Sequence, residues 1–197
     1  MRTARFEAKT LVEGPGERSA LWLQGCSIRC PDCCNPLMQP ESGGVDLPVV
    51  ELARQIVAAG SDGLTLLGGE PLDQADEVFS LLQLLRGSDY HGIIMFTGYE
   101  WSAVVADAQK LRVAELCDLV IAGPYDRKKA PGNRRWIGSD NQTLHFITDH
   151  YRELQQNWPV RQCEIEIFIR DGEIMVNGTP LEADHELTRI LKLQSGG

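Results

Sequence analysis

The stretch Cys26-Ser27-Ile28-Arg29-Cys30-Pro31-Asp32-Cys33 sets three cysteines at gaps of three and two residues, directly after the apolar run Leu21-Trp22-Leu23. Three thiolates on one short loop suit a soft metal centre, and closely spaced cysteines commonly hold iron–sulfur clusters. The count matters, because three protein ligands on a cubic four-iron cluster leave one iron open to another molecule. Cys34 follows at once, but adjacent cysteines rarely aim both sulfurs at one centre without strain, so it reads as a packed or spare thiol. A zinc knuckle lacking its fourth ligand, or ordinary small buried cysteines, would fit three cysteines as well. Cys117 and Cys163 stand alone and complete no zinc tetrad.

Around this loop lies a chain of 197 residues with 43% apolar content, enough for one domain with a real core or a compact domain plus a small appendage. Its formal net charge of -9 argues against a nucleic-acid backbone as a general partner. No run of about 18 apolar residues occurs, and Met1-Arg2-Thr3-Ala4-Arg5-Phe6 lacks the pattern of a signal peptide. The expectation is a soluble, cytoplasmic protein with no membrane partner. Six cysteines, three of them at metal-site spacing, then fit a reducing compartment better than a disulfide framework.

Residues 4–12 read as an extended strand, and Glu13-Gly14-Pro15-Gly16-Glu17-Arg18 as a tight loop. Leu21 to Gln24 form a second strand, and Gly25 lets the backbone turn into the cysteine loop. Arg18 and Arg29 are expected in solvent, since unpaired charge is rarely buried. Asn35 can cap the next turn or donate to a cluster sulfur. A helix follows over Leu47 to Ala59, with Leu52, Ile56 and Ala59 on one face, Asp46 capping its start and Gly60 ending it.

Gly63-Leu64-Thr65-Leu66-Leu67 is a short buried strand running into Gly68-Gly69-Glu70-Pro71. Two glycines allow a ligand close to the backbone, and Glu70 supplies a carboxylate at the strand end. Taken alone, the segment would also fit a plain strand-to-helix turn. A helix over Gln74 to Leu85 carries Val78, Leu81, Leu82 and Leu85 inward. Gly92 to Phe96 is a third strand ending at Thr97-Gly98-Tyr99, where Tyr99 can stack on a planar ligand or cap the core.

A helix from Trp101 to Leu111 is expected to turn Val104 and Val105 inward, and Cys117 to Ile121 to form a fourth strand with Cys117 as a structural thiol. Arg127-Lys128-Lys129 and Arg134-Arg135 make a dense basic run, either a solvated loop or a receiver for an anionic group. Ser139, Asn141 and Gln142 can bond the local backbone or a ligand. His91, His145, His150 and His185 lack a catalytic companion and read as structural.

The Cys-x3-Cys-x2-Cys loop together with Leu67-Gly68-Gly69-Glu70-Pro71-Leu72 resembles the paired signature of radical S-adenosylmethionine (radical SAM) enzymes. Within that superfamily the chain is similar to the activating proteins of anaerobic ribonucleotide reductase over roughly residues 10–146. The matching segments are Gly25 through Asn35, Gly68-Gly69-Glu70, Phe96 through Tyr99, Asp118 through Tyr125 and Gly138 through Gln142.

The resemblance implies an α/β fold, a compact partial (β/α) TIM-type barrel over 1–147; residues 148–197 are expected to add a C-terminal ββα extension packed on it. The resemblance further implies one [4Fe–4S] cluster on Cys26, Cys30 and Cys33, with S-adenosylmethionine held by Gly68, Gly69, Glu70, Thr97, Gly98, Tyr99, Ser139 and Asn141. An electron donor such as flavodoxin or ferredoxin would drive cleavage of the sulfonium to a 5'-deoxyadenosyl radical. That radical would take hydrogen from a glycine of a partner glycyl-radical enzyme. No acid–base pair is required, so no catalytic side chain is assigned.

In the extension, Cys163 to Arg170 alternates, Asp171-Gly172 is a hairpin turn, Glu173 to Gly178 returns, and a last helix is expected over Leu181 to Leu193. It departs from the compact activase pattern. A radical SAM enzyme that modifies a peptide or small molecule directly would share the same cofactor motifs, and a zinc-bound structural or interaction protein is the reading from another class. Replacing Cys26, Cys30 or Cys33 by alanine is expected to abolish iron uptake in anaerobic reconstitution, whereas Cys34→Ala retains it; iron and sulfide per chain measure the difference.

Overall fold

The computed structural model describes residues 1–130, 132–162, 164–170 and 173–178. The expected turn at Asp171-Gly172, Cys163, His185 and the expected helix over Leu181 to Leu193 lie outside the described residues.

In chain order the elements are β1 (Arg2–Thr10), β2 (Arg18–Leu23), β3 (Val45–Asp46), α1 (Val49–Ala59), β4 (Leu64–Gly68), α2 (Ala75–Gly87), β5 (Ile93–Thr97), α3 (Trp101–Ala106), α4 (Ala108–Ala114), β6 (Leu119–Ala122), β7 (Thr143–Phe146), α5 (Arg152–Gln156), β8 (Ile165–Arg170) and β9 (Glu173–Gly178). Among the described residues, seven strands form one sheet in the order β3-β1-β2-β4-β5-β6-β7, and β8 and β9 pair in a second sheet. Neighbours from β2 through β6 run parallel, while β1, β3 and β7 add antiparallel strands at the two sides. This is the expected α/β architecture, a mixed sheet of the partial (β/α) barrel kind with a separate hairpin.

The continuous apolar strands follow from coverage on both faces. Leu64, Leu66, Ile93, Met95 and Val120 pack with Leu52 and Ile56 of α1 and with Val78, Leu81, Leu82 and Leu85 of α2. The alternate residues Ile94, Leu119 and Ile121 pack with Ile137 and Tyr151, flanked by Phe96, Phe146 and Trp158. A strand lying between two apolar layers has no polar side, which is why its sequence shows no period-two alternation. Parallel pairing then sends β2, β4, β5 and β6 out at one edge, where Cys26, Glu70, Gly98 and Tyr125 follow.

Several local expectations are corrected. Asp46 does not cap α1; it lies in β3, paired with Arg2, and Pro48 occupies the N-cap without a side-chain bond. Gly60 does end the helix, in the left-handed conformation at φ 60. The expected helix over Trp101 to Leu111 is two, because the Asp107 carboxylate accepts from the amides of Gln109 and Lys110 and starts α4. Val104 is buried, but Val105 is exposed.

The largest correction is Arg18, expected in solvent and found fully buried at the opposite end of the sheet from the cysteines. Its Nε donates to Thr65 Oγ1 at 2.6 Å, Nη1 to the Pro15 carbonyl and Tyr151 hydroxyl, and Nη2 to the carbonyls of Leu64 and Gly92. One planar guanidinium thus joins β2, β4, the start of β5 and the segment after β7. Asp118 performs a related task beside it. Its carboxylate accepts from the Ile93 amide and the Thr148 hydroxyl and pairs with Arg86 at 3.0 Å. Burial pushes the Asp118 carboxyl up, but those donors outweigh it and hold it below its ordinary value.

Beyond β7 the chain returns to the sheet through polar contacts. Glu166 accepts from the Leu11 amide at 2.9 Å, Asn177 donates to Thr10, Arg135 pairs with Glu164, and the Arg5 guanidinium lies 5.8 Å from the Phe168 ring centre. No helix among the described residues is long and apolar enough to cross a membrane. Arg18→Met is expected to lower the stability of the apo-protein by at least about 3 kcal/mol, since each buried acceptor left without its donor costs roughly 1–3 kcal/mol; chemical denaturation measures it.

Candidate active site

The ends of β2, β4, β5 and β6 converge because short backbone bonds tie each to the next. Gly69 donates to the Leu23 carbonyl and Glu70 to the Gly25 carbonyl, both at 2.8 Å. A Cβ on Gly69 would lie 2.1 Å from the Gly25 oxygen, and Gly68 has φ 101 with Leu23 backbone atoms crowded against it. The two glycines therefore let β4 close on the strand that launches the cysteine loop. On the far side, the Gly123 amide donates to the carbonyls of Thr97 and Tyr99.

Glu70 is buried at the centre of this edge. Oε1 accepts from the Leu72 amide at 2.9 Å and the Thr97 hydroxyl at 2.8 Å, and Oε2 from the Gly98 amide at 2.7 Å. Burial pushes its carboxyl up to about 7, against the lowering effect of those three donors. Thr97 Oγ1 also accepts from the Tyr99 amide. Glu70, Thr97, Gly98 and Tyr99 are thereby brought together as one hydrogen-bonded unit, with Gly98 packed against Ile28 of the cysteine loop.

The loop itself bends through left-handed residues at Arg29 (φ 50) and Asp32 (φ 56). Arg29 is exposed, as expected. Gln24 holds the returning segment, donating to the carbonyls of Leu37, Pro40 and Ser42. Cys26, Cys30 and Cys33 are half-buried; Cys34 is exposed at its surface. Burial raises the thiols of Cys26 and Cys30, while a hydrogen bond from the Cys34 thiol holds Cys33 low, at about 6. The corresponding effect on Cys34 is upward. Asn35 acts through its backbone: its amide donates to Cys33 Sγ at 3.4 Å, and its side chain makes no cap.

Among the described residues no group of three or more His, Cys, Asp or Glu is gathered tightly enough to hold a metal ion. The donor set nevertheless has the chemistry that an iron–sulfide cluster needs. The Asn35 amide donates to Cys33 Sγ at 3.4 Å, and the peptide groups of Arg29 and Ile28 act to lower the Cys26 thiol, and that of Tyr125 the Cys30 thiol, against the effect of burial. Such donors stabilise the negative charge that cluster thiolates carry.

Beside Cys30 opens a cleft of about 800 Å³, bordered by Ile28, Asp32, Glu100, Tyr125 and Asn141, with Arg127, Lys128 and Lys129 at its rim. Asn141 Nδ2 donates to the Pro124 carbonyl at 2.7 Å, but its Oδ1 is a buried acceptor without a partner. An unsatisfied buried acceptor at a cleft wall fits a ligand that brings a donor. Ser139 is placed differently: fully buried, its hydroxyl accepts from the Asp126 amide and shapes the turn behind the cleft.

The basic run divides. Arg127 pairs with Asp32 of the cysteine loop at 3.0 Å, whereas Arg134 donates to the carbonyls of Asp140 and Gln142, and Arg135 binds Glu164. His145 stacks on Trp101 with ring centres 4.0 Å apart, a structural contact. Sequence reasoning passed over Ser27 and Asp73, which bond each other and Tyr99 beside the cysteine loop. The available signal was weak, a serine after a cysteine and an aspartate after an apolar pair.

Residues 12–145 match the family described as 4Fe-4S single cluster domain. The chain is 33% identical over 144 residues to the anaerobic ribonucleoside-triphosphate reductase-activating protein of Enterobacteria phage T4, covering 70% of this chain and 89% of the phage protein. The protein of the same name from Escherichia coli K12 is 28% identical over 149 residues, 70% of this chain and 93% of the relative. The pyruvate formate-lyase-activating enzyme of Clostridium pasteurianum is 33% identical over 104 residues, half of this chain and 44% of the relative.

Glu70→Gln places an NH₂ group against a backbone N–H donor, so it is expected to cost about 1–3 kcal/mol of apo-protein stability. The raised carboxyl also fixes a sign: the folded state holds a proton that the unfolded state has released. Its contribution is present below the ordinary glutamate range and is lost as pH rises toward about 7. Melts across that window should lose this part of their slope in the Glu70→Gln protein.

Proposed function

This chain belongs to the 4Fe-4S single cluster domain family of the radical SAM superfamily, and we propose that Cys26, Cys30 and Cys33 hold its [4Fe–4S] cluster while the converging ends of β4, β5 and β6 hold S-adenosylmethionine. It is a radical SAM enzyme that activates a glycyl-radical partner; its relatives are named as activators, of an anaerobic ribonucleoside-triphosphate reductase and of pyruvate formate-lyase. The observation that carries the site is the meeting of the three-cysteine loop with Gly68-Gly69-Glu70 at one sheet edge, joined by the Glu70 amide to the Gly25 carbonyl.

When bound, the two cofactors would supply one-electron cleavage of the sulfonium, driven by the external electron donor, and with it the radical chemistry for hydrogen abstraction from the partner's glycine. The chain's own residues bind and orient. Glu70 fixes the ends of β4 and β5, and its carboxylate favours a cationic group above that edge. The free Oδ1 of Asn141 supports a donor from the nucleoside part of the cofactor, a ribose hydroxyl or an adenine amine. Ser139 supports this wall from behind by holding the Asp126 amide. Ile28 packs the cysteine loop against Gly98 at the end of β5.

Flavodoxin or ferredoxin is the proposed electron donor, and the cytoplasm the proposed compartment, since the closely spaced free thiols of the loop need reducing conditions. Residues 148–197 are proposed as an extension on a core of 1–147; the family match stops at residue 145. Reconstituted protein given dithionite and S-adenosylmethionine is expected to release 5'-deoxyadenosine, and to raise a glycyl doublet in electron paramagnetic resonance once a partner is added. A colourless protein carrying one zinc and cleaving no cofactor would defeat this reading. Cofactor cleavage with no doublet on any candidate partner would favour direct modification of a substrate.

A further inference from the structure

Asp73 lies exposed in the 3-10 turn after Glu70. Its Oδ2 accepts from the Ser27 amide at 2.6 Å, and its Oδ1 from the Ser27 hydroxyl at 2.8 Å and the Tyr99 hydroxyl at 2.9 Å. Ser27 Oγ and the Tyr99 hydroxyl are themselves 3.1 Å apart. One carboxylate therefore ties together the residue next to Cys26, the turn after β4 and the residue that ends the β5 loop. The Lys110 ammonium lies 4.9 Å from the Tyr99 ring centre and covers its other side.

None of these contacts serves the apolar core, for Ser27 and Asp73 are both exposed. What they constrain is the turn that carries the first cysteine. Backbone bonds hold that turn at Gly25 and Cys26, to Met38, Gln39 and Glu70, and Ser27 is reached from the Asp73 carboxylate. A carboxylate accepting an amide and two hydroxyls is the charge-assisted kind of bond that holds its geometry better than a neutral pair.

We propose that Asp73 is a positioning residue that latches the Cys26-Ser27 turn to Tyr99 and so fixes the first thiolate relative to the cofactor edge. It touches neither thiolate nor reacting atom. Tyr99 is accordingly an arm of the latch, its hydroxyl committed to Asp73, rather than a ring free to swing over a planar ligand. The consequence for cofactor binding rests on the cluster site proposed above, whereas the restraint on Cys26 does not.

Two measurements separate those levels. In the apo-protein, alkylation of each cysteine by iodoacetamide, resolved by mass spectrometry, is expected to quicken about tenfold at Cys26 in Asp73→Ala, and to stay unchanged at Cys117. Asp73→Asn keeps an acceptor for the Ser27 amide and should return Cys26 close to its original rate; Tyr99→Phe should fall between. In reconstituted protein, Asp73→Ala should weaken S-adenosylmethionine binding about tenfold by equilibrium dialysis, with Asp73→Asn again the milder change. An unchanged Cys26 rate in Asp73→Ala, or an equal rise at every cysteine, overturns the latch. A faster Cys26 in a chain whose parent takes up no cluster upholds the latch and removes the cluster reading instead.

Discussion

A buried carboxylate bound by three neutral donors is the constraint on which the edge beside the cysteine loop depends. Glu70 takes the amides of Leu72 and Gly98 and the hydroxyl of Thr97, while its own amide reaches Gly25. Without it, the ends of β4 and β5 would leave peptide donors unpaired in a dry place, which is costly. The cost of burying the charge is visible in its raised carboxyl. A fully neutral side chain could not accept from both sides at once.

The opposite end of the sheet is closed by charge of the other sign. Arg18 distributes its donors among Thr65, Pro15, Leu64, Gly92 and Tyr151, and Asp118 gathers Ile93, Thr148 and Arg86. Parallel strands leave unpaired backbone groups at both edges, and these buried ions satisfy them. The rigid end supports the working end: with the strand starts locked, the loops at the far edge can carry a glycine-rich, ligand-facing surface without the sheet slipping in register.

The basic run makes a similar point about division of labour. Five cations close in sequence look like one patch, yet Arg134 and Arg135 are spent on carbonyls and on Glu164, and Arg127 reaches Asp32 of the cysteine loop. Lys128 and Lys129 remain at the cleft rim. Charge density in the chain did not translate into charge density on a surface, because the guanidinium groups were close enough to find acceptors first.

The amino-acid sequence by itself determined the cluster motif, the glycine pair and the alternation of β2, β4, β5 and β6 with helices, and so the α/β class, because cysteine gaps and apolar periodicity are written in neighbouring residues. It also marked Gly60 as a helix end. Tertiary structure alone decided that Arg18 is interior, that Asp46 pairs in a strand, and that Glu70 and Asp73 organise the site, since their partners lie 25 to 75 positions away along the chain for most of these bonds. A carboxylate or guanidinium reads as solvated until the fold brings its donors or acceptors to it, and only the closed sheet edge does that.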